Sequence, residues 1–180
     1  MPRFPHCFLH GKVVELAGGE HPLFHPNVDL RPMPTVDVVA DLTEPLPLET
    51  EAWDGLYASF LLEHLPMQKV RPFLSEVHRV LVPGGAAVLI TANLEEQARL
   101  LLERDRWDDP LVHMVFGGDP PYPENYHKSS MRPLMLGRLL LEAGFHQVTF
   151  YDHPVAKQIW GRSTDEIVHV VKSVVRIRRE

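Results

Sequence analysis

Residues 54–91 constrain the fold of this chain more than any other stretch. Residues 54–58 form a short apolar run typical of a buried strand, and a polar loop at 59–64 follows it. Apolar residues at helical spacing then span 70–81, before a Pro-Gly-Gly turn leads into the uninterrupted apolar run 86–91. A strand, a helix and a second strand in this order predict neighbouring parallel strands of an open α/β sheet. Ligands of such sheets bind just past the carboxyl ends of the strands.

The rest of the chain continues the alternation of strands and helices. Further strands are predicted at 12–16, 27–30, 36–40, 147–151 and 167–177, and further helices at 94–104 and 133–143. Asn93 is the expected N-cap of the first of these helices, and Gly144 is the expected end of the second. Pro72 fits the 70–81 helix only in its first turn. The pattern predicts a mostly parallel sheet with helices on both faces.

Length and composition narrow the class of protein. The 180 residues favour a single domain over 1–180, and the net charge of −6 argues against a general binder of nucleic acid. The one cysteine, Cys7, excludes an internal disulfide and fits a cytoplasmic protein. No apolar leader and no membrane-spanning run is evident. His6, Cys7 and His10 do not form a convincing metal site, because no second ligand cluster accompanies them.

Eight motifs follow one another over roughly residues 12–151: Glu15-Leu-Ala-Gly-Gly19, Asn27-Val-Asp29, Val38-Val-Ala-Asp41, the 54–65 run, Val82-Pro-Gly-Gly85, Phe116-Gly-Gly118, Tyr122-Pro-Glu-Asn-Tyr-His127 and Glu142-Ala-Gly-Phe145. Together they resemble the motifs of class I S-adenosylmethionine-dependent methyltransferases, in particular those of the small methyltransferase type 11 proteins. The resemblance implies a Rossmann-like, seven-stranded sheet and S-adenosylmethionine as the cofactor. It also implies methyl transfer to an acceptor that the sequence does not identify, expected to be a small molecule or another substrate that is not nucleic acid.

The resemblance also implies which residues bind the cofactor. These are Glu15, Ala17, Gly18 and Gly19 at the glycine turn, Asp29 and Leu30 at the ribose, Asp41 and Leu42 at the adenine, and Ala58 and Ser59 beneath the methionyl group. A glycine turn lets backbone approach a ligand closely, and a carboxylate can accept hydrogen bonds from both ribose hydroxyls.

The chain departs from the family pattern at the glycine turn. Ala17 stands where the family usually has glycine, and an L-residue does not easily adopt positive φ. This departure leaves a non-catalytic binding or scaffold protein as an alternative. Pro22 and Pro26 leave room for about one turn, or none, of the long helix that normally follows.

Candidate catalytic and substrate residues lie in two loops. His64 and His127 could take a proton from the acceptor, since histidine titrates near neutral pH. Glu63, Tyr122 and Tyr126 are the candidate substrate or lid residues.

A second alternative is an enzyme that methylates amino groups of nucleic-acid bases through Asp119-Pro-Pro-Tyr122. That motif should follow the fourth strand. The 54–58 run already occupies this position, so a proline-rich lid is the preferred interpretation.

Overall fold

The chain forms one seven-stranded, mostly parallel β-sheet in the computed structural model, which describes residues 8–103, 115–117, 123–154, 157–158 and 165–173. The strands are β1 (Val13–Leu16), β2 (Asn27–Asp29), β3 (Val38–Val39), β4 (Trp53–Ser59), β5 (Leu81–Ala92), β6 (Phe145–Asp152) and β7 (Asp165–Lys172). Their order across the sheet is β3-β2-β1-β4-β5-β7-β6. The strands β1 to β5 pair in parallel, and β7 pairs antiparallel with both β5 and β6. The predicted sheet is confirmed.

Three α-helices accompany the sheet in the described residues: α1 (Met67–Val80), α2 (Leu94–Glu103) and α3 (Pro133–Ala143). Asn93 caps α2 as predicted, because its Oδ1 accepts from the backbone N–H groups of Glu95 and Glu96 at 3.1 and 3.2 Å. α3 ends at Gly144, whose φ of 108° makes it a left-handed cap.

The two faces of the sheet are covered differently. On one face α1 and α3 pack over alternate strand residues such as Leu56, Leu89 and Val168, which belong to the main apolar core. The opposite face carries a smaller cluster, in which Leu9, Val13, Tyr57, Val88, Ile90 and Ile167 are buried beneath Phe8 and Phe24. Loop side chains therefore cover this second face at β1 and β4, where no described helix lies.

The connection from β1 to β2 is a ten-residue loop without a helix, as the prolines predict. Glu15 holds this loop on the sheet: its Oε2 accepts from the backbone N–H groups of Leu23 and Phe24 at 2.6 and 2.7 Å. Burial is the main cause that raises the pKa of Glu15, and the two amide hydrogen bonds oppose it. The Glu15 side chain therefore holds the β1–β2 connection against the sheet, where a helix in this connection would otherwise pack.

A pair of charged residues on α1 fixes the loop before β4. The Arg79 guanidinium donates to the carbonyl oxygens of Leu46 and Leu48 at 3.1 and 2.9 Å, and Glu76 accepts from the Leu46 N–H at 2.9 Å. Arg79 and Glu76 also pair with each other at 2.7 Å.

Two predictions of local structure were wrong. The helix α1 begins at Met67, so Pro72 lies in its second turn and removes one hydrogen bond within the helix. The Pro-Gly-Gly segment is not a turn ahead of β5 but an irregularity within it. The register passes from Trp53↔Leu81 to Gly55↔Ala86, and Gly84 has a φ of 83°. The extra residues of β5 bulge out of the hydrogen-bonded ladder and then rejoin it. A Pro-Gly-Gly sequence is equally typical of a turn before a strand, so the sequence does not distinguish the two.

Several boundaries also differ from prediction. β3 contains only Val38–Val39, and β6 starts two residues earlier than expected. Arg104 and the proposed strand residues 174–177 lie outside the described residues.

Candidate functional site

A cavity of about 270 Å³ opens at the carboxyl ends of the parallel strands. Its lining comes from the ends of β1 to β4 and from the segment before α3: Ala17, Gly19, Asp29, Leu30, Arg31, Asp41, Leu42, Thr43, Phe60, Leu61, His64, Leu65, Glu124, Asn125 and Lys128. Six of the ten predicted cofactor residues are among them: Ala17, Gly19, Asp29, Leu30, Asp41 and Leu42. This is the location that the strand order predicts for a ligand.

The glycine turn keeps its left-handed backbone despite the alanine. Ala17 and Gly19 have φ values of 57° and 58°. A Cβ on Gly19 would meet nothing within 4 Å, whereas a Cβ on Gly18 would stand 2.8 Å from Oδ1 of Asn27. Gly18 thus packs against the protein, and Gly19 leaves its backbone open to the cavity. The substitution at Ala17 has not removed the conformation that the turn needs.

Asn27, which the sequence analysis did not single out as a site residue, clamps the turn from β2. It is fully buried, its Oδ1 accepts from the Gly18 N–H at 3.0 Å, and its Nδ2 donates to the Thr35 carbonyl oxygen at 3.0 Å. The Thr35 hydroxyl donates to the Gly19 carbonyl oxygen at 2.7 Å. The sequence signal for this role was the position of Asn27, a polar residue in a buried strand two positions before Asp29.

Asp29 stands at the end of β2 with 7% of its surface exposed. Its Oδ2 accepts from the Gly19 N–H at 3.2 Å, and its Oδ1 accepts from the Arg31 N–H at 3.0 Å. Each carboxylate oxygen has a second lone pair for a ligand hydroxyl. Asp29 therefore fixes the open part of the glycine turn while it lines the cavity.

The third strand supplies the opposite wall. Asp41 accepts from the Thr43 N–H at 2.8 Å, and hydrogen bonds from Thr43 hold the pKa of this carboxyl below its usual range. Leu42 beside it is buried and offers an apolar surface. The charged Asp41 at the rim and the apolar Leu42 beside it suit an adenine ring, whose flat face needs an apolar contact.

Four predicted cofactor residues lie near the cavity without lining it. Glu15 holds the β1–β2 loop, Gly18 packs on Asn27, and Ala58 is buried in the main core. Ser59 is half-buried and bonds to the Tyr57 hydroxyl. Direct contact between these four residues and a cofactor stays a prediction.

The two candidate histidines lie together. Their ring centroids are 5.0 Å apart, His64 lines the cavity and His127 stands behind it. His64 Nδ1 is 3.4 Å from the carbonyl oxygen of Tyr126, and His127 Nδ1 is 3.2 Å from that of Val115. Because a carbonyl oxygen only accepts, both contacts favour the tautomer with the proton on Nδ1 and a lone pair on Nε2.

The lowered pKa values of both histidines favour their neutral form. Burial lowers the pKa of each of them, and the neighbouring His127 lowers the pKa of His64 further. Lys128 acts on His64 in the same direction. An uncharged imidazole can accept a proton at neutral pH.

Glu63, the residue before His64, is buried rather than facing the cavity. Its exposed fraction is 1%, and burial raises its pKa to about 7. Oε2 accepts from the Thr91 hydroxyl at 3.1 Å, while Oε1 is buried with no partner among the described residues.

The backbone around Glu63 anchors the segment that precedes α3. The Glu63 carbonyl oxygen accepts from the N–H groups of Lys128 and Ser129 at 2.7 and 3.1 Å, and the Ser129 hydroxyl donates to the Leu62 carbonyl oxygen at 2.9 Å. This anchorage brings Glu124, Asn125 and Lys128 into the cavity wall. Tyr126 is exposed beside them, and the predicted lid residue Tyr122 lies outside the described residues.

Within the described parts of the chain no group of three His, Cys, Asp or Glu side chains is arranged to hold a metal ion. His6 and Cys7 lie outside those parts. No described helix is long and apolar enough to cross a membrane.

Comparison with known proteins agrees with this geometry. The family profile described as "Methyltransferase domain" matches residues 17–89, which include the glycine turn, Asp29, Asp41 and the β4 end. The profile covers less than half of the chain, and over this region the chain resembles the class I S-adenosylmethionine-dependent methyltransferases. The strand order and the cavity are those expected of this class, and S-adenosylmethionine is the cofactor that the similarity implies.

Solved methyltransferases share the fold at low sequence identity. A SAM-dependent methyltransferase from Archaeoglobus fulgidus superposes with a TM-score of 0.62 at 16% identity, over 93% of this chain and 89% of that one. A possible histamine N-methyltransferase from Thermotoga maritima gives 0.61 at 17% identity, over 93% and 86%. No curated protein sequence matches this chain.

Some structural neighbours are longer. A possible exported protein from Bordetella parapertussis superposes with a TM-score of 0.63 at 18% identity, over 93% of this chain. This chain spans 64% of that protein's length.

Proposed function

We propose that the protein transfers a methyl group from S-adenosylmethionine to a small acceptor that is not a nucleic acid. The observation that carries the proposal is one cavity that combines the open backbone of Gly19, the Asp29 carboxylate, the apolar Leu42 and the imidazole of His64. The first three are suited to a nucleoside with an amino-acid arm, and the fourth to an acceptor that must lose a proton.

The residues around the cavity divide the work of holding the cofactor. The Asp29 carboxylate would accept from the ribose hydroxyls, and Leu42 would pack on the adenine. Gly19 would allow the methionyl arm to approach the backbone. When bound, S-adenosylmethionine supplies a methyl group on a positively charged sulfur that is already activated for displacement. The protein's main task is then to align the acceptor and to exclude water.

His64 is the candidate general base. Its contact with the Tyr126 carbonyl oxygen favours a proton on Nδ1, so Nε2 would be the nitrogen that takes the proton of an acceptor hydroxyl or amine. Its lowered pKa keeps this nitrogen unprotonated at neutral pH. His127 packs against the His64 ring and supports its orientation.

Charge supports an acceptor other than nucleic acid. The protein carries a net charge of −6, and the cavity wall holds three carboxylates, Asp29, Asp41 and Glu124, against two cations, Arg31 and Lys128. A phosphate backbone is held by clustered Lys and Arg side chains. The Asp119–Tyr122 motif of the alternative interpretation lies outside the described residues. A cytoplasmic location stays a prediction that rests on the single cysteine.

Titration calorimetry with S-adenosylhomocysteine tests the proposal. Asp29→Asn removes an acceptor oxygen and a charge from the ribose position, and loss of charged hydrogen bonds should weaken binding about ten- to a hundredfold. Asp54→Asn is the matched control. Asp54 is an exposed carboxylate at the other end of the sheet that accepts from the Lys12 N–H at 2.8 Å.

Absence of binding by the unchanged protein to either S-adenosylmethionine or S-adenosylhomocysteine would refute the proposed function. It would favour the non-catalytic alternative. Equal affinity of the Asp29 and Asp54 variants would refute the assigned ribose position.

A further inference from the structure

Phe60 is a strained and exposed aromatic residue in the cavity wall. It directly follows β4, has a φ of 52°, and leaves 42% of its surface exposed. Its N–H donates to the Ile90 carbonyl oxygen at 2.8 Å, which fixes the backbone in place. A glycine would avoid both the left-handed strain and the exposed ring. Strain of this kind in a bulky residue points to a functional constraint.

The surroundings of Phe60 form an apolar wall for a flat ligand. Leu61 and Leu65 line the cavity beside it. The ring of His153, at the end of β6, lies 6.2 Å from the Phe60 ring at an angle of 59°. The wall therefore offers a ring face and aliphatic surface at the end of β4, away from the ribose and adenine positions at β2 and β3.

Charges favour an acceptor without a net charge. The described cavity wall has one carboxylate more than it has cations once His64 is neutral. Bound S-adenosylmethionine carries a sulfonium, an ammonium and a carboxylate, so it adds one positive charge. The loaded cavity is then balanced, and an acceptor with a full charge would enter without a partner.

We propose that Phe60 is the specificity-determining platform for an uncharged aromatic acceptor that carries a weakly acidic O–H or N–H group, as phenols and azoles do. The ring of the acceptor stacks on Phe60. Its oxygen or nitrogen bonds to the methyl carbon, the carbon–sulfur bond breaks with its electron pair left on sulfur, and the O–H or N–H proton passes to Nε2 of His64. This inference rests on the proposed function.

Binding of simple probes to the protein saturated with S-adenosylhomocysteine tests the platform. Phenol and pyrazole are the aromatic probes, and cyclohexanol is the non-aromatic match for phenol. Chemical-shift or calorimetric titration should show that phenol binds about three- to tenfold more tightly than cyclohexanol, as expected for ring stacking. Binding of pyrazole as well would extend the class to azoles, and its absence would restrict the acceptor to phenols.

Three variants sharpen the test. Phe60→Leu should abolish the preference for phenol, and Phe60→Tyr should restore it because the ring is retained. Tyr151→Leu is the control, since Tyr151 is an exposed aromatic residue of β6 that packs on Phe8 rather than lining the cavity. Circular dichroism verifies that each variant is folded.

The outcomes separate this inference from the function on which it rests. Failure of the unchanged protein to bind S-adenosylhomocysteine defeats the proposed function. If S-adenosylhomocysteine binds, three results overturn the aromatic platform: equal binding of phenol and cyclohexanol, binding of neither, or an unchanged preference in Phe60→Leu. Weaker S-adenosylhomocysteine binding in Phe60→Leu would assign the ring to the cofactor and also overturn it.

Discussion

Two left-handed residues that are not glycine, Ala17 and Phe60, line the same cavity. At each position the left-handed backbone costs conformational free energy that a glycine would not, so these two residues of the site lower the stability of the fold. At Ala17 the methyl group adds nothing to the hydrogen bonds of the turn, which Asn27 and Thr35 supply through neighbouring glycines. The strain at Ala17 can therefore be removed without loss of the clamp.

Ala17→Gly should stabilise the protein. Relief of the left-handed strain is partly offset by the greater freedom of glycine in the unfolded chain, which leaves a gain of about 0.5–1 kcal/mol. Urea denaturation with an unchanged m-value measures it. Affinity for S-adenosylhomocysteine should be retained. A loss of stability would contradict the conclusion that the backbone of Ala17 is strained.

Glu63 should make stability depend on pH. Its folded pKa of about 7 lies above the usual glutamate value of 4.5, so the folded state binds more protons between these values. Stability should then fall as pH rises from about 4.5 to about 7, by up to about 3 kcal/mol. Glu63→Gln removes this titration. The difference in unfolding free energy between the two proteins, measured across the range, should track the titration, and a flat difference would be inconsistent with it.

The sequence indicated several residues that line the cavity, and these follow predicted strands. Gly19, Asp29, Asp41 and His64 come after apolar runs and belong to a recognisable motif set, and their roles stay predictions. Phe60, Asn27 and Lys128 could not be found in this way. Their roles depend on a backbone angle, on burial under a loop, and on a contact between segments more than sixty positions apart, and none of these leaves a periodic signal.

At the scale of elements, α3 was predicted in full because both of its ends carry a chemical signal. Pro133 begins it and Gly144 ends it. The start of β5 was not predicted, because Pro-Gly-Gly favours a turn locally and only pairing with β4 keeps it in the sheet. The start of α1 was missed because Pro72 suggested a first turn, although packing of Val70, Phe73 and Leu74 tolerates a proline in the second turn.

The Arg79–Glu76 pair should matter more than an ordinary surface ion pair. Arg79→Lys loses the planar donor set that reaches Leu46, Leu48 and Glu76, and should cost about 1–3 kcal/mol. Arg71→Lys is the control, since the exposed Arg71–Glu142 pair should contribute about 0–1 kcal/mol. Denaturant unfolding compares the two, and equal costs would show that the loop is not held by Arg79.

At the scale of the whole molecule, the single domain over 1–180 stays a prediction. One cooperative transition is expected, with a calorimetric enthalpy equal to the van't Hoff enthalpy. S-adenosylhomocysteine at a hundredfold excess over its Kd should add about 2.7 kcal/mol to stability. Differential scanning calorimetry measures both, and two separate transitions would indicate two units.

The connection between β1 and β2 contains no helix, and its loop both covers the sheet and contributes to the cavity. Phe24 of this loop covers one face of the sheet, Gly19 of the same loop lines the cavity, and Glu15 holds the loop in place. Opening of this loop would expose that face of the sheet and remove one wall of the site in a single event. A protease in the cell would meet that open form less often when methyl donor is plentiful, so the lifetime of the protein should rise and fall with donor supply.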